Sequence, residues 1–315
     1  MDNLQMFKRI FHQLKTAMPA FAQFLRLCKI VPLPLPLPLL LLLPLHTACT
    51  ENPFGGDNTV TGGQQEISGT VSLSDGSSPE GVVVWLQDFN LLTRANAQGK
   101  FQIILPPKPD GESSGTVSQH RLYLYLANYV LAVREVAVID GAFFYDRGDV
   151  DAKGKLRRPV VLPRALRIVT EATPQPGNPE QIDVLVSMQS DEISCVRALN
   201  PLIGSIDKLI PVDTLGAVII RGLDSGATTV YRSLEQAAGN EILVVCQTPL
   251  QRALSFNSAQ LGLVPGRYQV VPFILVDPEN VPLALLAKLG SRLNQLGNNY
   301  LRKPMRWEGG FFEVR

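Results

Sequence analysis

From Ile67 the chain alternates between apolar and polar residues. Ile67, Val71 and Leu73, with Gly69 in the same phase, are separated by Ser68, Thr70 and Ser72. A period of two puts one set on each face of an extended strand and would smear the apolar set around a helix. The pattern returns throughout the chain. After the turn-forming residues Ser74 to Gly81 comes the run Val82 to Leu86, and after Asn96 to Gly99 come Phe101, Ile103 and Leu105. Residues 121–139 supply two more strands with a break near Asn128, and Val160 to Leu162 and Leu166 to Val169 close the series. A second series starts with Ile182, Val184, Val186 and Met188 and continues through 193–199, 216–221, 229–234, 242–247 and 268–276. Many short strands punctuated by Gly, Pro, Asn and Asp predict an all-β protein of two consecutive β-sandwich domains. Residues 171–181, with Pro174, Pro176 and Pro179, read as a linker between a domain at 66–170 and another at 182–315. Only Leu286, Leu289, Leu293 and Leu296 keep helical spacing, with Gly297 as a stop, which predicts a short C-terminal helix lying on its own sandwich.

The first series carries a recognisable pattern. Ile67-x-Gly69-x-Val71 is followed by Gly81-Val82-x-Val84-x-Leu86, then by Gly99-x-Phe101-x-Ile103-x-Leu105-Pro106. This resembles the carboxypeptidase regulatory-like domain, a transthyretin-like sandwich, with Ala95 and Asn96 in place of the family's usual Thr-Asp. The resemblance implies a non-catalytic module appended to secreted enzymes, surface proteins and lipoproteins. The strand count of the second series is that of an immunoglobulin-like sandwich.

Ahead of both lies PLPLPLPLLLLLPLHTACTENP, Pro32 to Pro53. As a permanent span it fails. The apolar stretch from Val31 to Leu45 is shorter than the ~20 residues a membrane helix needs, and alternating proline favours an extended chain whose carbonyls would stay bare in hydrocarbon. As an export leader it fits, because Lys8, Arg9, Lys15, Arg26 and Lys29 precede it against the single acid Asp2. Leu45-His46-Thr47-Ala48-Cys49 resembles the lipobox of bacterial lipoproteins, with His46 where that family usually has leucine. The resemblance implies removal of residues 1–48 and lipidation of Cys49. Thr50, in place of a retention aspartate, implies the outer membrane. Residues 49–65 are polar and glycine-rich, a flexible tether. The alternatives are a simple secretory signal with an incidental cysteine, and a start at Met18.

The leader also carries the basic excess. Beyond it remain 24 of the 29 Lys and Arg and 27 of the 28 Asp and Glu, a net charge of about −3. A slightly acidic chain with no basic run argues against a nucleic-acid partner. Of the 3 histidines only His120 follows the leader, too few for the open site of a zinc hydrolase. A Ser-His-Asp triad needs one histidine, but no Gly-x-Ser-x-Gly elbow accompanies it, and His120 reads as a solvated loop residue. No phosphate-binding glycine motif is present, so no cofactor is expected. Leu223-Asp224-Ser225-Gly226-Ala227-Thr228 resembles the catalytic loop of retroviral-type aspartic proteases. Such enzymes need two aspartates sharing a proton, and the sequence holds no second copy, so Asp224 reads first as a tight-turn residue. Asp149-Val150-Asp151-Ala152-Lys153-Gly154 has calcium-loop spacing but places Lys153 where a ligand oxygen belongs.

Two further features bear on binding and stability. In Arg121-Leu122-Tyr123-Leu124-Tyr125-Leu126 the leucines share one face and Tyr123 and Tyr125 the other. The tyrosines either form a platform for a sugar or partner chain or meet the neighbouring domain. Cys195 and Cys246 are left as a pair once Cys28 leaves with the leader and Cys49 is lipidated. Their phase places both toward the interior of the second sandwich, as an inter-sheet bridge worth ~4 kcal/mol in the chain-entropy account, or as two buried free thiols. The expectation is a lipid-anchored envelope module without catalysis of its own that binds a protein or glycan. An accessory subunit of an envelope enzyme or assembly complex is the alternative, and a hydrolase using Asp224 a remote one.

Overall fold

Strand β1 (Glu66–Leu73) buries Ile67, Val71 and Leu73 and exposes Glu66, Thr70 and Ser72, the pattern of a strand with one wet face. The structure, a computed structural model, describes residues 64–107, 115–191, 195–201, 213–233, 239–276 and 280–315. The leader, Cys49 and most of the tether lie outside the described residues. After β1 come β2 (Val83–Leu86), β3 (Leu91–Arg94), β4 (Lys100–Ile104), β5 (Val117–Tyr125), β6 (Ala132–Ile139), β7 (Ala142–Phe143) and β8 (Val160–Leu162). They form a three-stranded sheet ordered β4-β1-β8 and a five-stranded sheet ordered β3-β2-β5-β6-β7. Between the two sheets Ile67, Val71, Phe101 and Ile103 meet Val84, Leu86, Leu122, Leu124 and Val136 in one core. Two motif glycines have steric reasons. A Cβ on Gly69 would stand 2.6 Å from the Phe101 ring, and one on Gly99, which has φ +74°, would stand 1.9 Å from the Val71 carbonyl oxygen.

The second half runs β9 (Leu166–Gln175), β10 (Asn178–Ser190), β11 (Val196–Asn200), β12 (Ala217–Gly222), β13 (Thr228–Arg232), β14 (Glu241–Val245), β15 (Leu250–Asn257), β16 (Gly266–Pro272) and β17 (Leu275–Val276). Helix α1 (Leu283–Leu289), a 3-10 turn at Tyr300–Arg302, β18 (Glu308–Gly309) and β19 (Phe311–Val314) follow. Three sheets result, ordered β15-β10-β9-β18, β14-β11-β17 and β13-β12-β16-β19. Ile182, Val184, Val186 and Met188 of β10 enter a core with Val218, Ile220, Tyr268, Val270 and Phe312. The protein is all-β in its described residues apart from α1 and the 3-10 turn.

The halves are not separated by a linker. Residues 171–181 belong to a hairpin in which β9 and β10 pair from Leu166–Ser190 down to Gln175–Asn178, with Gly177 at φ +81° in the turn. The prolines are tolerated because β18 covers β9 only at Val169 and Thr170, leaving Pro174 on an open edge, while Pro179 falls where the register shifts between Asn178 and Ile182. The halves also share a core. On β2 and β5 the residues facing away from the first core, Val83, Trp85, Tyr123 and Tyr125, pack with Ile168, Met188 and Leu285 of the second half. Buried Asn128 ties the seam. Its Nδ2 donates to the carbonyls of Leu166 (3.0 Å) and Arg306 (3.2 Å), and its Oδ1 accepts from Arg306 N (3.0 Å).

Two further expectations are corrected. The C-terminal helix ends at Gly290, whose φ is +134°, so the leucine period to Leu296 runs through turns instead. Its buried residue is Leu285, and Leu296 packs beside Tyr300 over a separate small core of Ala217, Ile219, Val271 and Phe273. Cys195 and Cys246 are joined as a disulfide, 51 residues apart with Cα atoms at 4.2 Å. It is not an inter-sheet bridge. Val196 pairs with Val245, so the cysteines continue the same antiparallel register one step further, and the phase-mates of Cys246, Ile242 and Val244, are exposed.

Two outcomes follow from this packing. Gly99→Ala forces a left-handed backbone and a carbonyl clash onto one residue and is expected to destabilise the fold by about 2–4 kcal/mol, measured by denaturant unfolding. In denatured, unreduced protein, peptide mass spectrometry after alkylation is expected to find neither Cys195 nor Cys246 modified. Modification of both would contradict the bridge.

Candidate functional site

At the seam of the halves five segments converge on a cleft of about 500 Å³ lined by Asp75, Ser77, Tyr129, Arg164, Arg167, Arg306, Trp307 and Glu308. Asp75 follows β1, Tyr129 lies between β5 and β6, Arg164 between β8 and β9, Arg167 is on β9, and the last three lead into β18. Arg164 is the hub. Its Nη1 donates to Asp75 Oδ2 (3.0 Å) and Glu308 Oε1 (2.9 Å), and its Nε to Asp191 Oδ2 (2.6 Å). Arg167 donates to Glu308 Oε2 from Nε (3.1 Å) and Nη2 (2.9 Å), and Arg306 Nη2 to the carbonyls of Ser78 (2.9 Å) and Glu80. Tyr129 Oη donates to Asp75 Oδ2 at 2.8 Å.

The surroundings shift both Asp75 and Tyr129 of this constellation. Partial burial opposes charge on Asp75, but hydrogen bonds from Tyr129 and Ser77 and the nearby Arg164 outweigh it and hold the carboxyl below its ordinary value. Burial pushes the Tyr129 hydroxyl up to about 12. Asp75 is thereby unsuited to act as a general acid, which needs a raised value. The cleft is a lattice of donors and acceptors in which Arg164 and Arg167 are paired with the carboxylates of Asp75, Asp191 and Glu308.

The residues singled out from sequence fall elsewhere. Tyr123 and Tyr125 are 5% and 2% exposed. They are no platform, because Ile168, Met188 and Leu285 of the second half cover them, while Tyr123 lies against its first-half neighbour Trp85 at 5.5 Å between ring centroids. Asp224 lies on the exposed turn between β12 and β13, where Arg267 Nη2 donates to it at 2.6 Å and holds its carboxyl below the ordinary range. Asp149 and Asp151 cap backbone amides of Glu135, Lys153 and Lys155, and among the described residues no group of three or more His, Cys, Asp and Glu is placed to hold a metal. No helix among them is long and apolar enough to cross a membrane.

His120 is not a solvated loop residue. It sits on β5 with its ring against Phe89, centroids 4.9 Å apart. Nδ1 is 2.6 Å from Asp88 Oδ2 and Nε2 is 2.7 Å from Ser118 Oγ. The three side chains stand in the order of contacts of a Ser-His-Asp relay, although Ser118 Oγ also donates to the Val138 carbonyl at 3.2 Å. Ser118 is exposed on the sheet, and neither the cleft nor the cavity beneath α1 described below reaches it.

No family model matches the chain, and no curated protein matches it. Among solved structures, a Bacteroides uniformis protein provisionally described as carbohydrate-binding has TM-score 0.33 and 10% identity over 69% of this chain and 92% of that one. DUF3823 family proteins from Bacteroides ovatus (TM-score 0.26, 10% identity, 67% and 94% covered) and Parabacteroides merdae (0.24, 11%, 68% and 96%) also match. Likeness at this distance says nothing of the site.

The network predicts an acid dependence. A carboxyl depressed in the fold contributes stability that is full above its unfolded value of 3.8 and is lost as pH falls through the lower folded value. Asp75→Asn is expected to cost about 1–2 kcal/mol at pH 7, with the gap to wild type closing at the acid end of a pH series of melting curves.

Proposed function

We propose that this chain is an exported binding module of the bacterial cell envelope, anchored by lipid on Cys49, which holds a neutral, polyhydroxylated ligand in the Arg164 cleft. The observation that carries the reading is the balance of that cleft. Arg164, Arg167 and Arg306 stand with Asp75, Asp191 and Glu308, each guanidinium already hydrogen-bonded in place. A phosphate or nucleic acid would find Arg164 and Arg167 already paired with carboxylates and Arg306 held by two backbone carbonyls. Sugar hydroxyls, which donate and accept at once, match a fixed mixture of planar donors and carboxylate lone pairs. The half-buried Trp307 in the lining supplies apolar surface suited to a sugar's C–H face. The leader and the glycine-rich tether support delivery to a membrane surface, and the resemblance of residues 66–106 to regulatory-like domains supports a role without catalysis.

Fractionation tests the anchor and a glycan array tests the cleft. Cys49→Ser is expected to move the protein to the soluble fraction and abolish lipid labelling. Retention in the membrane with the leader intact would sink the anchor. The soluble variant is expected to bind a subset of neutral oligosaccharides, and Arg167→Ala to weaken that binding about tenfold. Binding indifferent to Arg167 would remove the cleft from the proposal. A stoichiometric protein partner from solubilised envelopes would recast the module as an accessory subunit.

One observation favours a second reading, an acyl hydrolase using Ser118, His120 and Asp88 at the distances given above. Acyl transfer also needs oxyanion donors and a substrate surface, and the exposure of Ser118 is the weaker starting point for both. A fluorophosphonate probe is expected to leave Ser118 unlabelled. Labelling lost in His120→Ala would establish the hydrolase.

A further inference from the structure

A second cavity, of about 240 Å³, lies beneath α1 and shares no lining residue with the cleft. Its walls are largely apolar, with Leu286, Leu289 and Leu293 from α1 and the turn after it. Into this lining come two polar groups that the fold leaves incomplete. Lys303 is 7% exposed, and its Nζ donates to a neutral acceptor, Asn294 Oδ1, at 3.0 Å. It makes no ion pair among the described residues, so a buried ammonium keeps two of its three hydrogens without a partner and has no counter-charge. Tyr125 is 2% exposed, and its Oη has no hydrogen-bond partner among the described residues.

A buried cation and a buried donor, both unfinished and lining one apolar cavity, specify what would finish them. The missing group is an anionic acceptor small enough to enter and attached to an apolar body. We infer that the cavity beneath α1 binds a small amphiphilic monocarboxylate, its carboxylate accepting from Lys303 Nζ and Tyr125 Oη and its apolar tail lying along Leu286, Leu289 and Leu293. Size limits the tail. An engineered cavity of about 150 Å³ accommodates benzene, so this one accepts a chain on the order of six carbons and excludes a phospholipid or a long fatty acyl group. The inference does not rest on the glycan reading, because it concerns other residues and another ligand chemistry.

Protonation sets the working range. Burial depresses the Lys303 ammonium to about 8, so it is charged at neutral pH and loses its proton above that value. Tyr125, the other titratable side chain in the lining, is pushed up to about 12 by burial and stays a donor throughout. Carboxylate affinity is therefore expected to fall as the pH rises above about 8.

Titration calorimetry on the full chain carrying Cys49→Ser, with hexanoate and hexan-1-ol as probes, tests this. Hexanoate is expected to bind about tenfold more tightly than hexan-1-ol at pH 7. Lys303→Met, which keeps the length of the side chain, should erase that preference, and Tyr125→Phe should weaken hexanoate about threefold or more. Leu293→Trp should fill the space and abolish both titrations while leaving the polar groups in place. Circular dichroism melting establishes that each variant is folded. A preference for hexanoate over hexan-1-ol that survives Lys303→Met, or hexanoate binding that survives Leu293→Trp, in folded protein would overturn the assignment, as would wild-type protein that fails to bind hexanoate.

Discussion

Trp85, Tyr123 and Tyr125 make the five-stranded sheet dry on the face that a lone sandwich would show to water, and the rest of the architecture follows from that burial. Each such aromatic buries roughly 150–250 Å², worth several kcal/mol apiece at about 25 cal/mol per Å². The cost of leaving that face uncovered would be a large part of the 5–15 kcal/mol that separates a typical domain from its unfolded state. The second half covers it with Ile168, Met188 and Leu285. Once the halves are pressed together, the polar backbone caught between them needs partners. Asn128 supplies them by bonding Leu166 and Arg306 in the buried seam.

The cleft is a by-product of the same joint. Loops of the first half, the entry to β9 and the segment before β18 meet where the five-stranded sheet packs on the second half, and Arg164 binds Asp75, Asp191 and Glu308 across that meeting point. The cavity beneath α1 has a similar origin. Tyr125 belongs to the first half by sequence and lines a space whose other walls come from residues 286–304. Both candidate sites therefore depend on the joint more than on either half.

Much of the fold was legible from local pattern, because a strand with one wet face records its orientation in every second residue. Ile182, Val184, Val186 and Met188 are all buried as their alternation requires. What escaped has physical reasons. Strand β15 was missed because Arg252 occupies an inward position, where its Nη2 is neutralised by Glu241 Oε1 at 2.6 Å, and a charged residue in phase breaks the apolar signal. Alternation places Tyr123 and Tyr125 on one face but does not say whether water or another sheet lies opposite. The cysteine phase was misjudged because side-chain parity has no meaning until the covered face of the sheet is known. Ser118 stands two residues before His120 on β5, but Asp88 reaches them only through the pairing of β2 with β5, and nothing in the spacing of Asp75, Arg164 and Glu308 announces a common site.

A sheet with two dry faces also limits how such a molecule can be rearranged in evolution. A module that folds alone can be duplicated, fused to new neighbours or lost without harm to what remains. Here, recombination between the halves would hand one descendant a slab bearing Trp85, Tyr123 and Tyr125 uncovered, an adhesive surface in any cell. The hairpin turn at Gly177 is the natural-looking place to cut the gene, yet β9 on one side of it and β10 on the other are paired from Leu166–Ser190 to Gln175–Asn178. Dividing the two sandwiches would break that pairing and uncover that face, which sets a cost on any rearrangement that separates them.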